Sequence, residues 1–455
     1  MNAPTAPPIS KHALSRRVQA HRFCQAASAL IVMVVLVAVA SGCGSISGAT
    51  SSQGNQLTVY SSLPLQGPSG AISAQIIDGE KLALHDFGGR IGSFKISYAS
   101  LDDSSPTSGQ WDPGVTASNA KTAANDPSTI AYLGDYNSAA TAISLPLINA
   151  ADILQISPAS PYAGLSASAY AGQDEPERFY PTGRRSFARL EPGDPAQARA
   201  QVQLMRDLGV GRVYVLDNQD PFELPLAQMV AADSERAGIS VAARDSLDTT
   251  ATAGFAGEVS RIAKSGAQAV FFAGGTTPET VSLWQQLHGA DPRLWLLGSS
   301  TMVNATFTSA IGAGAAARTL LTTPVLPVSH YPASARRVLA VYRREFHEQP
   351  QAYALFGYEA MSATLRAITR AGTRGNNRQA VIDALFSAGP HDSVIGRYAI
   401  EPDGETTLSS YGVDRVSGGA PVFWRALNLA GRTFQAAENP AARDRGPEKS
   451  APRSG

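Results

Sequence analysis

The chain has 455 residues, and its 37 Lys and Arg are balanced by 37 Asp and Glu. Hydrophobic residues make up 44% of it, enough for sizeable cores in a chain long enough for two domains. With no net positive charge and no basic cluster, the composition excludes a nucleic-acid binder.

The first stretch is basic and then apolar. Lys11, Arg16, Arg17 and Arg22 precede an apolar run from Ala26 to Ala40, and no acidic residue interrupts them. Ending in Ala40-Ser41-Gly42-Cys43, this order resembles a bacterial lipoprotein signal with its lipobox. It implies cleavage after residue 42, a lipid on Cys43, and a lipid-anchored place on the extracytoplasmic face of the cell membrane. An uncleaved anchor is the alternative, but a span needs ~20 apolar residues and the run is shorter. Arg16-Arg17 is similar to a twin-arginine signal while the residues after it are not, so the export route stays open. Removing the four basic residues leaves 33 against 37 acidic, a net charge of −4. Cys24, the only other cysteine, falls in the removed segment, so the mature chain is expected to fold without a disulfide. Residues 43–56, rich in Gly, Ser and Thr, read as a flexible tether, and 435–455 as a disordered tail. No repeat of solenoid length is present.

Between tether and tail, short apolar runs alternate with helical patterns. Strand-like runs begin at Leu57, Phe94, Thr129, Asp152, Arg212, Ser240, Ala269 and Leu294, and most end in Gly, Ser, Asp or Pro. Ile72, Ile76, Gly79 and Ala83 share one helical face, as do Val338, Val341, Tyr342 and Phe346. Alternation of this kind predicts an α/β fold of parallel sheets covered by helices, with ligands at the carboxyl ends of the strands. There lie "GDYNSAAT" and "SPASPY", the second ending a hydrophobic run with two prolines. The stretch from Arg185 to Gly209 reads as a crossing into a second α/β unit, with a ligand cleft between the two.

Catalytic patterns are missing. No G-x-S-x-G elbow occurs; "GSSTM" and "GPSGA" lack its flanks. "GAGAAA" at Gly312 follows no clean strand and reads as small-residue packing. The five histidines after the signal lie far apart, without the paired spacing zinc needs, and no P-loop is present. Asp102-Asp103, at a strand end, reads as a turn or helix cap. Neither a metal nor a cofactor is implied.

Three segments carry a resemblance: "DGEKLALHDFGGRIGSFKISYASLDD" (78–103), "LGDYNSAATAISLPLINAADILQISPAS" (133–160) and "QAYALFGYEAMSATLRAI" (351–368). In order and spacing they resemble the substrate-binding lipoproteins of branched-chain amino acid ABC transporters, the Leu/Ile/Val-binding protein family, over about residues 57–430. The resemblance implies a type I periplasmic binding protein fold, two doubly wound α/β lobes joined by three hinge crossings. It places residues 57–188 and 327–388 in lobe 1, and 189–326 and 389–434 in lobe 2. It implies no enzymatic activity but capture of a small molecule for a permease, by a monomer. A ligand-sensing receptor subunit of the same fold is the alternative.

The resemblance also implies a site. Ser138 matches a serine that holds an α-carboxylate with backbone N–H groups, beside Tyr136 and Ala139. Ala159 and Ser160 lie in a turn whose next residue is a threonine in the family and Pro161 here; proline has neither hydroxyl nor N–H. Ser300 replaces an acidic partner of the ammonium, Thr276 a tyrosine, and Phe222 keeps an aromatic. Ile72 stands where the family has a pocket aromatic. The α-ammonium clamp therefore looks dismantled. Either other acids such as Asp135 or Asp220 replace it, or the ligand is not an α-amino acid.

Overall fold

In a computed structural model, the described residues are 52, 54–167, 170–248 and 254–430, and all of them fall in one compact unit. The signal segment, Cys43, most of the tether and the 435–455 tail lie outside them.

The first lobe is built on a six-stranded sheet. Its strands are β1 (Gln56–Leu63), β2 (Arg90–Ile91), β3 (Phe94–Asp102), β4 (Thr129–Gly134), β5 (Leu154–Ser157) and β6 (Phe187–Arg189), in the order β2-β3-β1-β4-β5-β6. All neighbours are parallel except β2, which pairs antiparallel with β3. β4 and β5 are buried along their full length, as strands covered on both faces must be.

The second sheet holds β7 (Arg212–Asp217), β8 (Ser240–Ser246), β9 (Ala269–Ala273), β10 (Trp295–Gly298) and β11 (Thr319–Thr323), all parallel. A hairpin of β14 (Ser410–Ser417) and β15 (Ala420–Asn428) closes its edge antiparallel to β11, in the order β15-β14-β11-β10-β9-β7-β8. Between them in sequence, β12 (His391–Asp392) and β13 (Arg397–Tyr398) form a separate ribbon.

The chain crosses between lobes three times: after β6, after β11 and before β14. The last crossing falls later than the resemblance implies. Val394, Ile395, Tyr398 and Ile400 pack in the core of the first lobe, and the Tyr398 hydroxyl donates to Glu359 at 2.8 Å. Residues 391–400 thus belong with lobe 1, because their apolar side chains cover the Ala352–Ala371 helix.

That helix packs against Gly70–Asp86, the helix whose apolar face the sequence shows. Ile76 and Ala83 are fully buried there. The backbones meet at two glycines: a Cβ on Gly79 would lie 2.1 Å from the Ala354 carbonyl oxygen, and one on Gly357 2.1 Å from that of Ile76.

Candidate functional site

Most of the turns that line the cleft between the lobes follow the carboxyl end of a strand. On the first lobe these are Trp111 after β3, Tyr136 to Ala139 after β4, and Ala159, Pro161 and Tyr162 after β5. On the second lobe they are Asn218 to Glu223 after β7, Gly275 after β9 and Ser300-Thr301 after β10. The cleft has a volume of about 600 Å³. Parallel strands end there with unpaired backbone groups and helix starts, which is why such edges bind ligands. Another cavity of about 460 Å³ opens at the opposite edge of the second sheet, around Leu208, Ile262 and Trp295.

The first-lobe wall is organised by the start of the Ser138–Ala150 helix. Thr141 is the first residue of that helix whose N–H is paired, to the Asn137 carbonyl at 3.0 Å. The N–H groups before it are the orphans of a helix start, where an anionic group is favoured. The Ser138 hydroxyl accepts from the Tyr162 N–H at 3.2 Å, tying this start to the β5 turn.

In the "SPASPY" turn, residues point alternately. Ala159 and Pro161 line the cleft, and the Ala159 N–H donates to the Ser157 hydroxyl at 3.1 Å. Pro161 offers its carbonyl instead of an N–H: it accepts from the Asp194 N–H at 2.8 Å, joining the turn to the first crossing. Buried Arg189 also bonds the carbonyls of Ser160 and Tyr162 from below and pairs with Glu405 at 3.1 Å.

Seven of the nine ligand-site residues named from the sequence line the cleft: Tyr136, Ser138, Ala139, Ala159, Pro161, Phe222 and Ser300. Ser160 does not. It is fully buried, its hydroxyl 2.8 Å from that of Thr141 and 3.1 Å from the Asp135 carbonyl, so its side chain points into the lobe. Thr276 is half-buried in the loop after β9, and its neighbour Gly275 faces the cleft instead. Ile72 packs beneath the site with Tyr136 and Tyr353. Asp135 is also turned away, accepting from the Tyr132 hydroxyl at 3.0 Å and from Ser144 inside the lobe, whereas Asp220 lines the cleft.

Sequence reasoning missed three acids. Glu191 and Asp194, on the first crossing, and Glu223, after Phe222, all line the cleft with Asp220. Their signal was present in "LEPGDP" and "DPFE", but a crossing read as a connector draws no attention as a wall. Glu191 accepts from the Tyr353 hydroxyl at 3.1 Å, and burial pushes its carboxyl up to about 8. Burial, with Glu223 nearby, holds Asp194 well above the usual carboxylate range. Burial and then Asp220 push Glu223 up to about 7. Among the described residues, no Lys, Arg or His lines this cleft.

The two lobes touch through aromatic rings. Phe222 of the second lobe meets Tyr162 edge-on, with ring centroids 5.0 Å apart, and packs against the Leu145–Phe187 cluster of the first.

The model of a periplasmic binding protein family matches residues 61–420. Among solved structures, a leucine-binding protein, LivK, of Thermotoga maritima is 19% identical; the match covers 82% of this chain and 99% of that one, with a TM-score of 0.65. LivJ of Streptococcus pneumoniae, a branched-chain amino acid transporter substrate-binding protein in complex with isoleucine, is 17% identical over 82% and 99%, with a TM-score of 0.62. An ABC-transporter solute-binding protein of R. palustris in complex with benzoate is 14% identical over 82% and 96%, with a TM-score of 0.61. No curated protein matches the chain. At such identities the structural likeness speaks for the fold.

Proposed function

This chain belongs to the periplasmic binding protein family, and we propose that it captures a small solute between its lobes and delivers it to an ABC-type permease. The observation that carries this reading is the cleft itself, bounded by strand-end turns of both lobes and crossed by three connections that can act as a hinge. A solute touching both walls favours the closed form by the contacts it makes only there. The role is capture without catalysis. The working form is a monomer, held on the extracytoplasmic face by a lipid at Cys43, with residues 43–56 as its tether.

Two supports stand beside the cleft: relatives of the same fold hold leucine, isoleucine or benzoate, and the N-terminal segment has the order of a lipoprotein signal. The test is equilibrium dialysis of the purified full chain against a small-molecule extract, with solution scattering before and after. A retained solute and a smaller radius of gyration are expected. An unchanged radius with nothing retained removes the reading. In cells, Cys43→Ser should move the chain from the membrane to the soluble fraction; membrane retention of that variant removes the lipid anchor.

A further inference from the structure

We propose that the cleft selects a solute of net positive charge, an organic amine, and that this charge stabilises the closed form of the lobes. The proposal rests on the cleft being the solute site and names the class of solute. Four carboxylates, Glu191, Asp194, Asp220 and Glu223, line the cleft, and among the described residues no cationic side chain lines it with them. Glu191 and Asp194 are only 2% and 4% exposed. Beside them, Tyr411 is fully buried, its hydroxyl has no partner, and Glu191, Asp194 and Glu223 all act on it.

Closing the lobes removes water from this wall. A carboxylate stripped of water is costly unless it is protonated or meets a positive charge. Arg189, behind the wall and paired with Glu405, is the one cation that acts on Glu191 and Asp194 among the described residues. Four acids thus face a neutral or anionic solute with less than matching positive charge, while an amine supplies both charge and N–H donors. Any anionic group on such an amine can rest at the Ser138 helix start. The raised titration of Glu191 and Glu223 agrees: without a cation, these groups lean toward the protonated form. A bare metal ion fits less well, since among the described residues no three such side chains converge as a metal site requires. Tyr136 and Phe222 add aromatic residues to the same wall, of the kind that attracts an ammonium or guanidinium.

Isothermal titration of the full chain at neutral pH, with putrescine, arginine, leucine and benzoate as probes, tests this. At least one of the two cations should bind at least tenfold tighter than leucine or benzoate, with protons released as the cleft acids ionise. Asp194→Asn should weaken that cation at least tenfold and cut the proton release. Glu223→Gln, at a half-buried position, should do the same if the first variant folds poorly. Glu235→Gln, an exposed acid at the far end of the Leu224–Arg236 helix, should change neither. Tighter binding of leucine or benzoate than of either cation overturns the class and leaves solute capture standing. Binding of none of the four also overturns the class, and the dialysis and scattering above then decide capture separately.

Discussion

Asp103 ends β3's turn fully buried, and neither of its carboxylate oxygens has a partner. Burial first, then the neighbouring Asp135 and Asp102, push it up to about 8; burial lifts Asp135 to about 7 and Glu80 to about 8. In the unfolded chain these groups titrate near 4, so between pH 4 and pH 8 the folded state holds more protons. Stability is then fully present below pH 4 and is lost as pH climbs toward 8. At ~1.4 kcal/mol per unit of pKa difference, one such group accounts for a few kcal/mol at the alkaline end. The melting temperature of the unliganded chain should therefore fall from pH 5 to pH 8. Asp103→Asn should raise it at pH 8, by a gain that shrinks toward pH 4. Equal pH profiles for the two proteins would mean that Asp103 is not the group responsible.

At the scale of elements, the crossing of Gly70–Asp86 with Ala352–Ala371 shows what the glycine in "LFGYEA" is for. Helix propensity alone favours alanine over glycine by about 1 kcal/mol. Here the opposing carbonyl of Ile76 would lie 2.1 Å from the new methyl, far inside contact distance. The helices would have to separate, and overpacking of this kind costs ~1–3 kcal/mol or more. Gly357→Ala should thus destabilise the chain by roughly 3 kcal/mol, measured by denaturant unfolding. A neutral or stabilising result would show that the two helices stand farther apart in solution.

For the whole molecule, the balance between open and closed lobes depends on the contacts that join them. The edge-on pair of Phe222 and Tyr162 joins the lobes, and such a pair contributes ~0.5–1.5 kcal/mol beyond its buried area. Phe222→Ala should enlarge the radius of gyration of the unliganded chain. It should also weaken whatever solute the dialysis retains by about tenfold, as ~1.4 kcal/mol of closed-state contact is lost. A radius unchanged by the substitution would assign the inter-lobe contact no role in closure.

The sequence by itself determined the alternation of strands and helices, the two-lobed α/β architecture, and the strand-end turns at Tyr136–Ala139 and Ala159–Pro161. These follow from local periodicity and breaker residues, which are legible one segment at a time. Several features were not legible. β6, β11 and the Ser410–Asn428 hairpin are short or polar runs made into strands by neighbours distant in sequence. Ser160 and Thr276 could not be told from lining residues, since a one-residue turn of the backbone decides which side chain faces the cleft. Tertiary structure alone brought Glu191 of the connector and Asp194, which opens the Asp194–Asp207 helix, into one cleft with Asp220 and Glu223. Charge in a cleft is a property of segments far apart in sequence meeting in space, and no one segment's sequence contains the others.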